Sequence, residues 1–169
     1  MLKRTGILDA WGDEAAMDRG AKVHRMVHAW FDNDLAAVPD WLEPYLEGIK
    51  NFVAQTGFKP KEWETPVHDP VFRYAGTPDM KGRFPGDRLD SIGDIKTGSI
   101  GRWTRVQTAA YSLGKPYKRF ALGLGEGLCG GRNYQFEPYG IDTLIRDLRV
   151  FQTSLAFLRA SAFLTKESW

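Results

Sequence analysis

Two carboxylates and an amine lie close together in the middle of the sequence. Asp79 ends one segment with strand character, and Asp94 and Lys96 end the next. Residues two apart on a strand point to the same face, so Asp94 and Lys96 project together while Ile95 turns into the core. If the ends of the two strands are neighbours, the three charged side chains meet at one spot.

Such a grouping suits a hard divalent cation. Mg²⁺ or Mn²⁺ binds through a couple of carboxylates, keeps several waters and takes phosphate oxygens as further ligands. The ion would polarise a phosphoryl group and activate a bound water, and Lys96 would orient that water or offset the charge on the non-bridging oxygens. A D-x-K triplet also arises by chance, and an Asp at a strand end is often only a turn former or helix cap.

Other residues in the same region favour the chemical interpretation. Gln107 and Tyr111 are four apart on a predicted helix, hence on one of its faces, and Arg102 and Arg105 precede them. His24 lies upstream in the first predicted helix. The sequence therefore offers a histidine, an amide, a phenol and two guanidinium groups around the charged trio.

The hydrophobic pattern predicts the elements that must position these side chains. Helices are predicted over about 15–31, from Pro39 to Gly57, over 102–113 and through a C-terminal apolar stripe from Ile141 to Leu158, and strands over 62–67, 71–75, 89–96, 119–124 and 133–138. The stripe of the last helix is expected to pack in the core, and any apolar face left over could serve an oligomer interface. The order helices, three strands, helix, two strands, helix indicates one mixed α/β domain over residues 1–169.

A glycine-rich segment, Gly125-Glu-Gly-Leu-Cys-Gly130, has the spacing of a dinucleotide fingerprint. That fingerprint requires a helix to begin directly afterwards. The residues that follow alternate like a strand, so a hairpin loop is the better interpretation.

Composition limits the class of protein. The 169 residues are 43% hydrophobic and 26% charged, which is ordinary for one globular domain. The formal net charge of +2 neither supports nor excludes a nucleic-acid substrate. No apolar run is long enough to cross a bilayer and no signal-peptide pattern is present, so no membrane partner and a cytoplasmic location, in a bacterial or phage-infected cell, are expected.

These motifs, taken in order, resemble the RecB-like branch of the PD-(D/E)XK nuclease superfamily, which includes RecB nuclease domains and phage exonucleases. The matching positions are Gly20 and His24, Glu64, Gly76-Thr-Pro-Asp79, Asp94-Ile-Lys96, and Gln107 with Tyr111. The resemblance spans about residues 20–111, more than half of the chain. It implies a restriction-endonuclease-like core, in which a mixed central sheet is flanked by helices.

The resemblance also implies roles for individual residues. Asp79 and Asp94 match the metal-binding carboxylates, the backbone carbonyl of Ile95 would be a further ligand, and His24 matches a histidine that completes the metal shell. Lys96 matches the catalytic lysine. One or two Mg²⁺ or Mn²⁺ ions are therefore the expected cofactor.

The remaining motif positions concern the substrate and the surroundings of the metal. Gln107 and Tyr111 match a Q-x-x-x-Y motif that shapes the site and contacts substrate phosphate, and Arg102 and Arg105 are expected to help bind the substrate. Glu64 matches an acidic position on the first strand, either behind the metal ligands or binding a second metal ion.

The chain departs from some members of that family. Four cysteines hold an iron–sulfur cluster in those members, whereas Cys129 is the single cysteine here, so no such cluster is expected. No phosphate-binding loop of the G-x-x-x-x-G-K-[ST] type occurs, so any helicase activity would come from a partner. The resemblance is also compatible with a single-strand annealing partner and a homotrimer.

The sequence thus predicts a metal-dependent deoxyribonuclease, an exonuclease similar to phage recombination and repair enzymes. Two alternatives stay open. One is a structure- or sequence-specific endonuclease on the same fold, and the other is a DNA-binding subunit that is catalytically silent.

Overall fold

The computed structural model describes residues 14–166, with side chains described as far as residue 163. Within this range the helices are α1 Glu14–Phe31, α2 Glu43–Thr56, α3 Trp103–Tyr111, the short turn α4 Leu128–Gly131 and α5 Leu144–Lys166. Short 3₁₀ turns at Asp40–Leu42 and Ile141–Thr143 lead into α2 and α5. The predicted helices are confirmed, and none in the described range is long and apolar enough to span a membrane.

The strands are β1 Lys59–Trp63, β2 Val67–Asp69, β3 Tyr74–Gly76, β4 Met80–Arg83, β5 Ser91–Thr97, β6 Lys118–Leu124 and β7 Tyr134–Tyr139. Five of them form one sheet in the order β1-β4-β5-β6-β7. Strands β5 and β6 are parallel and joined through α3, and the other neighbours are antiparallel. The predicted mixed sheet flanked by helices is confirmed, as is the hairpin connection between β6 and β7.

The predicted second strand, over 71–75, is wrong. Val71 and Phe72 lie exposed in a turn, where their N–H groups donate to Asp69 Oδ1 at 2.8 and 2.9 Å. Within the described part of the chain, strands β2 and β3 pair only with each other, in a separate two-stranded hairpin. The second strand of the main sheet is instead β4, so Asp79 lies just before the start of a strand and not at the end of one.

The predicted first strand, over 62–67, is also displaced. Residues 64–66 connect β1 to β2, and β1 begins earlier, at Lys59. The β1–β4 pair forms because Gly82 has no side chain, since a Cβ there would lie 2.3 Å from the carbonyl oxygen of Lys59. The close approach of the two backbones therefore requires glycine at this point.

The core lies between one face of the sheet and helices α1 and α2. Alternate residues of β5 and β6 point to this face, among them Ile95, Phe120 and Leu122, and they pack against Val23 and Phe52 of the two helices. The ring of Phe52 lies 5.4–6.2 Å from four other phenylalanine rings, those of Phe58, Phe84, Phe120 and Phe136. This packing fixes α2 against β6 and β7.

Helices α3 and α5 cover the opposite face, to which Asp94 and Lys96 point. The C-terminal stripe is less buried than its periodicity predicts. Of the α5 side chains that the structure describes, only Leu144 and Asp147 are buried, and Ile145 is 53% exposed. The buried side chains of α5 therefore lie in its first turn and include a charged residue, while Phe151 farther along packs against Tyr74 of β3.

Candidate active site

The antiparallel pairing of β4 and β5 brings two carboxylates together. Met80 is opposite Gly93 in the register, which places Asp79 opposite Asp94. Asp79 Oδ2 accepts a hydrogen bond from the backbone N–H of Ile95 at 2.5 Å. The start of one strand and the end of its neighbour thus hold the two aspartates side by side, although the sequence placed Asp79 at the wrong end of a strand.

Lys96 completes the charged trio. Its Nζ lies 2.7 Å from Asp94 Oδ2 and donates to Gln107 Oε1 at 3.2 Å. Gln107 in turn donates through Nε2 to the hydroxyl of Tyr111 at 2.6 Å. The amide and the phenol from one face of α3 therefore fix the position of the ammonium group, as their four-residue spacing predicts.

Helix α1 contributes His24 to the same place. Its Nδ1 lies 3.3 Å from Asp79 Oδ1. Burial lowers the pKa of His24, but the hydrogen bond to Asp79 and the charges of Asp79 and Asp94 outweigh this, and its pKa is raised above 6.5. His24 is thus held beside the carboxylates in a form that readily carries a proton.

The surroundings of Asp94 strongly perturb its pKa. Its side chain is 2% exposed, and burial together with the charge of Asp79 raises its pKa to about 6. The charges of Lys96 and His24 act in the opposite direction without cancelling this effect. A carboxylate that is costly to ionise in isolation is stabilised when a cation binds to it.

The donor atoms fit a small, hard cation. Asp94 Oδ2 is buried, and no donor among the described residues is aligned on it as a hydrogen bond, although Lys96 Nζ lies 2.7 Å away. No three His, Cys, Asp or Glu side chains among the described residues converge as a closed metal cage. The arrangement therefore suits an ion such as Mg²⁺, which needs one or two carboxylates and takes its other ligands from backbone oxygen, water and substrate.

Tyr111 is held by a contact that the sequence does not predict. A Cβ at Gly76 would lie 2.6 Å from Cε1 of the Tyr111 ring, so glycine allows the ring to pack on β3. Tyr74, two residues earlier, donates its hydroxyl to the carbonyl of Ala110 at 2.9 Å. The β2–β3 hairpin therefore supports the end of α3. In the sequence, the glycine of the motif Gly76-Thr-Pro-Asp79 is the one signal for this contact.

Glu64 is near the site through its backbone. It lies one residue beyond β1, with φ 41°, and its N–H donates to the carbonyl of Asp79 at 3.2 Å. Its side chain is exposed. A role for this carboxylate beside the metal ligands stays a prediction.

The two predicted substrate-binding arginines lie in different surroundings. Arg102 is exposed just before α3. Arg105 forms an ion pair with Asp147 of α5, with its Nη2 3.2 Å from Oδ1. The structure thus brings Arg105 to a second charged cluster and does not place it with Lys96, and its contact with substrate stays a prediction.

Comparisons with known proteins give weak structural matches. No family model matches the chain. No curated protein matches it either.

Among solved structures, the crystal structure of LHK-Exo in complex with dAMP matches at 16% identity and a TM-score of 0.37, over 89% of this chain and 85% of that one. An alkaline exonuclease (LHK-Exo) from Laribacter hongkongensis matches in a second structure at 14% identity and a TM-score of 0.32, over 91% and 89% of the two chains. At this level of superposition neither match assigns an activity to this chain.

Proposed function

We propose that this chain is a metal-dependent nuclease that hydrolyses phosphodiester bonds in DNA. The observation that carries the proposal is the convergence of Asp79, Asp94 and Lys96 at the adjoining ends of β4 and β5. Two carboxylates beside an ammonium group match the needs of phosphoryl transfer, which depends on positioning and on stabilisation of charge.

Asp79 and Asp94 would hold the ion, with the carbonyl of Ile95 and His24 as the further ligands that we propose. When bound, Mg²⁺ or Mn²⁺ would supply Lewis acidity toward a phosphate oxygen and toward a water. The burial of the Asp94 carboxylate beside the charge of Asp79 supports this assignment. Hydrogen-bond donation from Ile95 to Asp79 keeps that carboxylate oriented toward Asp94.

Lys96 would act on the reacting phosphate. Its ammonium group lies between the carboxylate of Asp94 and the amide oxygen of Gln107, so its direction is set by two partners. It is also about one-third exposed, at 34%, and can therefore reach a bound strand. We assign it the role of orienting the attacking water or offsetting the charge that develops on the non-bridging oxygens.

Arg102, exposed at the start of α3, is the proposed contact to a neighbouring phosphate. The resemblance of the motifs favours cleavage from DNA ends, so an exonuclease is the form of nuclease that we propose. An annealing or helicase partner, and assembly into a trimer, stay predictions from the same resemblance.

The test uses end-labelled linear DNA and covalently closed circular DNA, each with and without Mg²⁺. We expect Mg²⁺-dependent shortening of the linear DNA and no cleavage of the circle. Asp94→Asn and Lys96→Ala should each reduce the rate by about 100-fold or more, because each removes a preorganised charge.

The matched controls are Asp90→Asn and Lys61→Ala, which break an ion pair of 2.7 Å outside the site. They should cleave like the wild type. Cutting of the circle would make the protein an endonuclease instead. DNA binding without cleavage under any divalent ion would indicate a catalytically silent subunit, and full activity of both site variants would reject the assigned residues.

A further inference from the structure

A second buried charged cluster lies where α3, β6 and α5 meet. Asp147 of α5 is 3% exposed and Arg119 of β6 is 1% exposed. Arg119 Nη2 donates to Asp147 Oδ2 at 3.0 Å, and Arg105 of α3 donates to the same oxygen through Nε at 3.2 Å. Thr143, one turn before Asp147, adds a third donor at 3.0 Å. A single carboxylate of α5 therefore holds side chains from two other elements.

Arg119 also holds the backbone of α3. Its Nη1 donates to the main-chain carbonyl of Arg105 at 2.8 Å. Arg105 is thus fixed at both ends, its guanidinium by Asp147 and its carbonyl by Arg119. The same turn of α3 is held through both its side chain and its backbone. The cluster therefore sets the rotation of α3 about its axis and its position on the sheet.

Stability alone does not explain this cluster. Two buried or half-buried guanidinium groups share one carboxylate, and buried ion pairs of this kind often stabilise a protein no better than apolar residues of the same size. Arg119 Nε and the hydroxyl of Tyr139 are buried and have no hydrogen-bond partner among residues 14–166. A cluster that leaves polar atoms unsatisfied is better explained by the geometry that it imposes.

Helix α3 connects this cluster to the candidate active site. Gln107 lies two residues after Arg105 on α3, and its Oε1 accepts the hydrogen bond from Lys96. Rotation or sliding of α3 would lengthen this 3.2 Å contact before it disturbed the aspartates, which are held by β4 and β5. Lys96 is therefore the site residue that depends most directly on the placement of α3.

We propose that Asp147 is a positioning residue, which anchors Arg105 and Arg119 so that Gln107 holds Lys96 in place for catalysis. The proposal rests on the proposed nuclease function. It differs from a purely structural role because the effect of Asp147 must pass through Gln107.

The kinetic test is a double-mutant cycle of Asp147→Asn and Gln107→Ala. Asp147→Asn should lower kcat by about tenfold to 100-fold, as expected when a catalytic group is misplaced by a remote change, with KM for DNA changed by no more than about twofold. The double variant should be no slower than Gln107→Ala alone, because the two changes break the same link. Additive losses, or a change confined to KM, would overturn the proposal.

Two further variants test whether a loss of kcat comes from poor folding or from the general loss of an ion pair. Thr143→Val removes one donor to Asp147 and should give a smaller kcat loss of the same kind even if Asp147→Asn folds poorly. Asp90→Asn is the matched control, since Asp90 is also a carboxylate paired with two cations, Lys61 and Arg83, which belong to β1 and β4. It should leave kcat unchanged, and an equal loss in this variant would indicate a general effect of lost ion pairs.

A measurement that does not depend on enzyme activity separates the positioning role of Asp147 from the proposed nuclease function. The side-chain amide signal of Gln107 in ¹⁵N NMR spectra should shift in Asp147→Asn and Thr143→Val and stay in place in Asp90→Asn. If the wild type cleaves no DNA, the proposed function fails, while the amide shift still decides whether Asp147 positions Gln107. An unmoved Gln107 signal in folded Asp147→Asn would overturn the positioning role, whatever the activity.

Discussion

Asp79 accepts a hydrogen bond from the backbone N–H of Ile95 across the β4–β5 pair. The bond occupies Oδ2 and leaves Oδ1 facing His24 at 3.3 Å. One carboxylate therefore has two roles, since one oxygen holds the end of β5 and the other lies beside His24 at the site. The two roles can be separated by substitution.

Asp79→Asn keeps an oxygen that can accept from Ile95 but loses the charge. We expect this variant to fold with nearly wild-type stability and to lose the rise in Tm that Mg²⁺ should give the wild type. Asp79→Ala removes the acceptor as well, and should cost about 1–2 kcal/mol of unfolding free energy in addition. Thermal melts with EDTA or Mg²⁺ measure both effects, with Asp90→Asn as the variant that should keep the metal response. A normal response to Mg²⁺ in Asp79→Asn would remove this residue from the metal ligands.

Asp94 should make the metal-free protein less stable as the pH rises. Burial and the charge of Asp79 raise its pKa to about 6, whereas an unfolded Asp titrates near 3.9. Between these values the folded state binds more protons than the unfolded state, so stability falls as the pH rises through about 6. Asp94→Asn should therefore stabilise the metal-free protein at pH 8 by about 1–3 kcal/mol while abolishing cleavage.

Urea unfolding in EDTA from about pH 4 to pH 8 checks this expectation. Asp90→Asn provides a control of opposite sign, because hydrogen bonds from Lys61 and Arg83 lower the pKa of Asp90. Removing that charge should not stabilise the protein at pH 8. If Asp94→Asn is equally stable or less stable than the wild type at pH 8, the carboxylate is not strained in the metal-free site.

The Asp94–Lys96 part of the site is predictable from sequence because it depends on strand alternation alone. Burial of Ile95 forces its two neighbours to the opposite face, and the structure places them there. The four-residue spacing of Gln107 and Tyr111 is predictable for the same reason, since both side chains lie on one face of a regular helix.

The position of Asp79 is harder to predict. Strand β4 follows it with the sequence Met-Lys-Gly-Arg, which has a single apolar residue and little strand propensity. The strand exists because Gly82 allows β1 to approach and because β5 offers a partner on the other side. Likewise, no local pattern shows that Arg105 pairs with a carboxylate 42 residues later in the chain.

Gly76 should be intolerant of any side chain. A Cβ there would lie 2.6 Å from the Tyr111 ring, so Gly76→Ala should displace the ring and break the hydrogen bond from Gln107 to its hydroxyl. We expect cleavage to fall by about tenfold or more, with DNA binding largely retained. Gly125→Ala is the matched control, because its Cβ would meet its nearest neighbour at an ordinary 3.6 Å. Rate constants from single-turnover cleavage compare the two, and equal activity would show that Tyr111 adapts without consequence.

Asp147 should control the acid limit of stability. Burial raises the pKa of Asp147, but hydrogen bonds from Arg119, Thr143 and Arg105 outweigh this and hold its pKa below the usual range. A depressed pKa in the folded state gives stability that is fully present above about pH 3.9 and is lost as the pH falls through the folded-state pKa.

Asp147→Asn lacks this titration, and it should be less stable at pH 7 by about 3 kcal/mol, because Arg119 is left buried without a counter-charge. Urea midpoints from pH 7 to pH 2 should therefore converge for wild type and variant at the acid end. Parallel curves over the whole range would show that the charge of Asp147 contributes nothing to holding α3, β6 and α5 together.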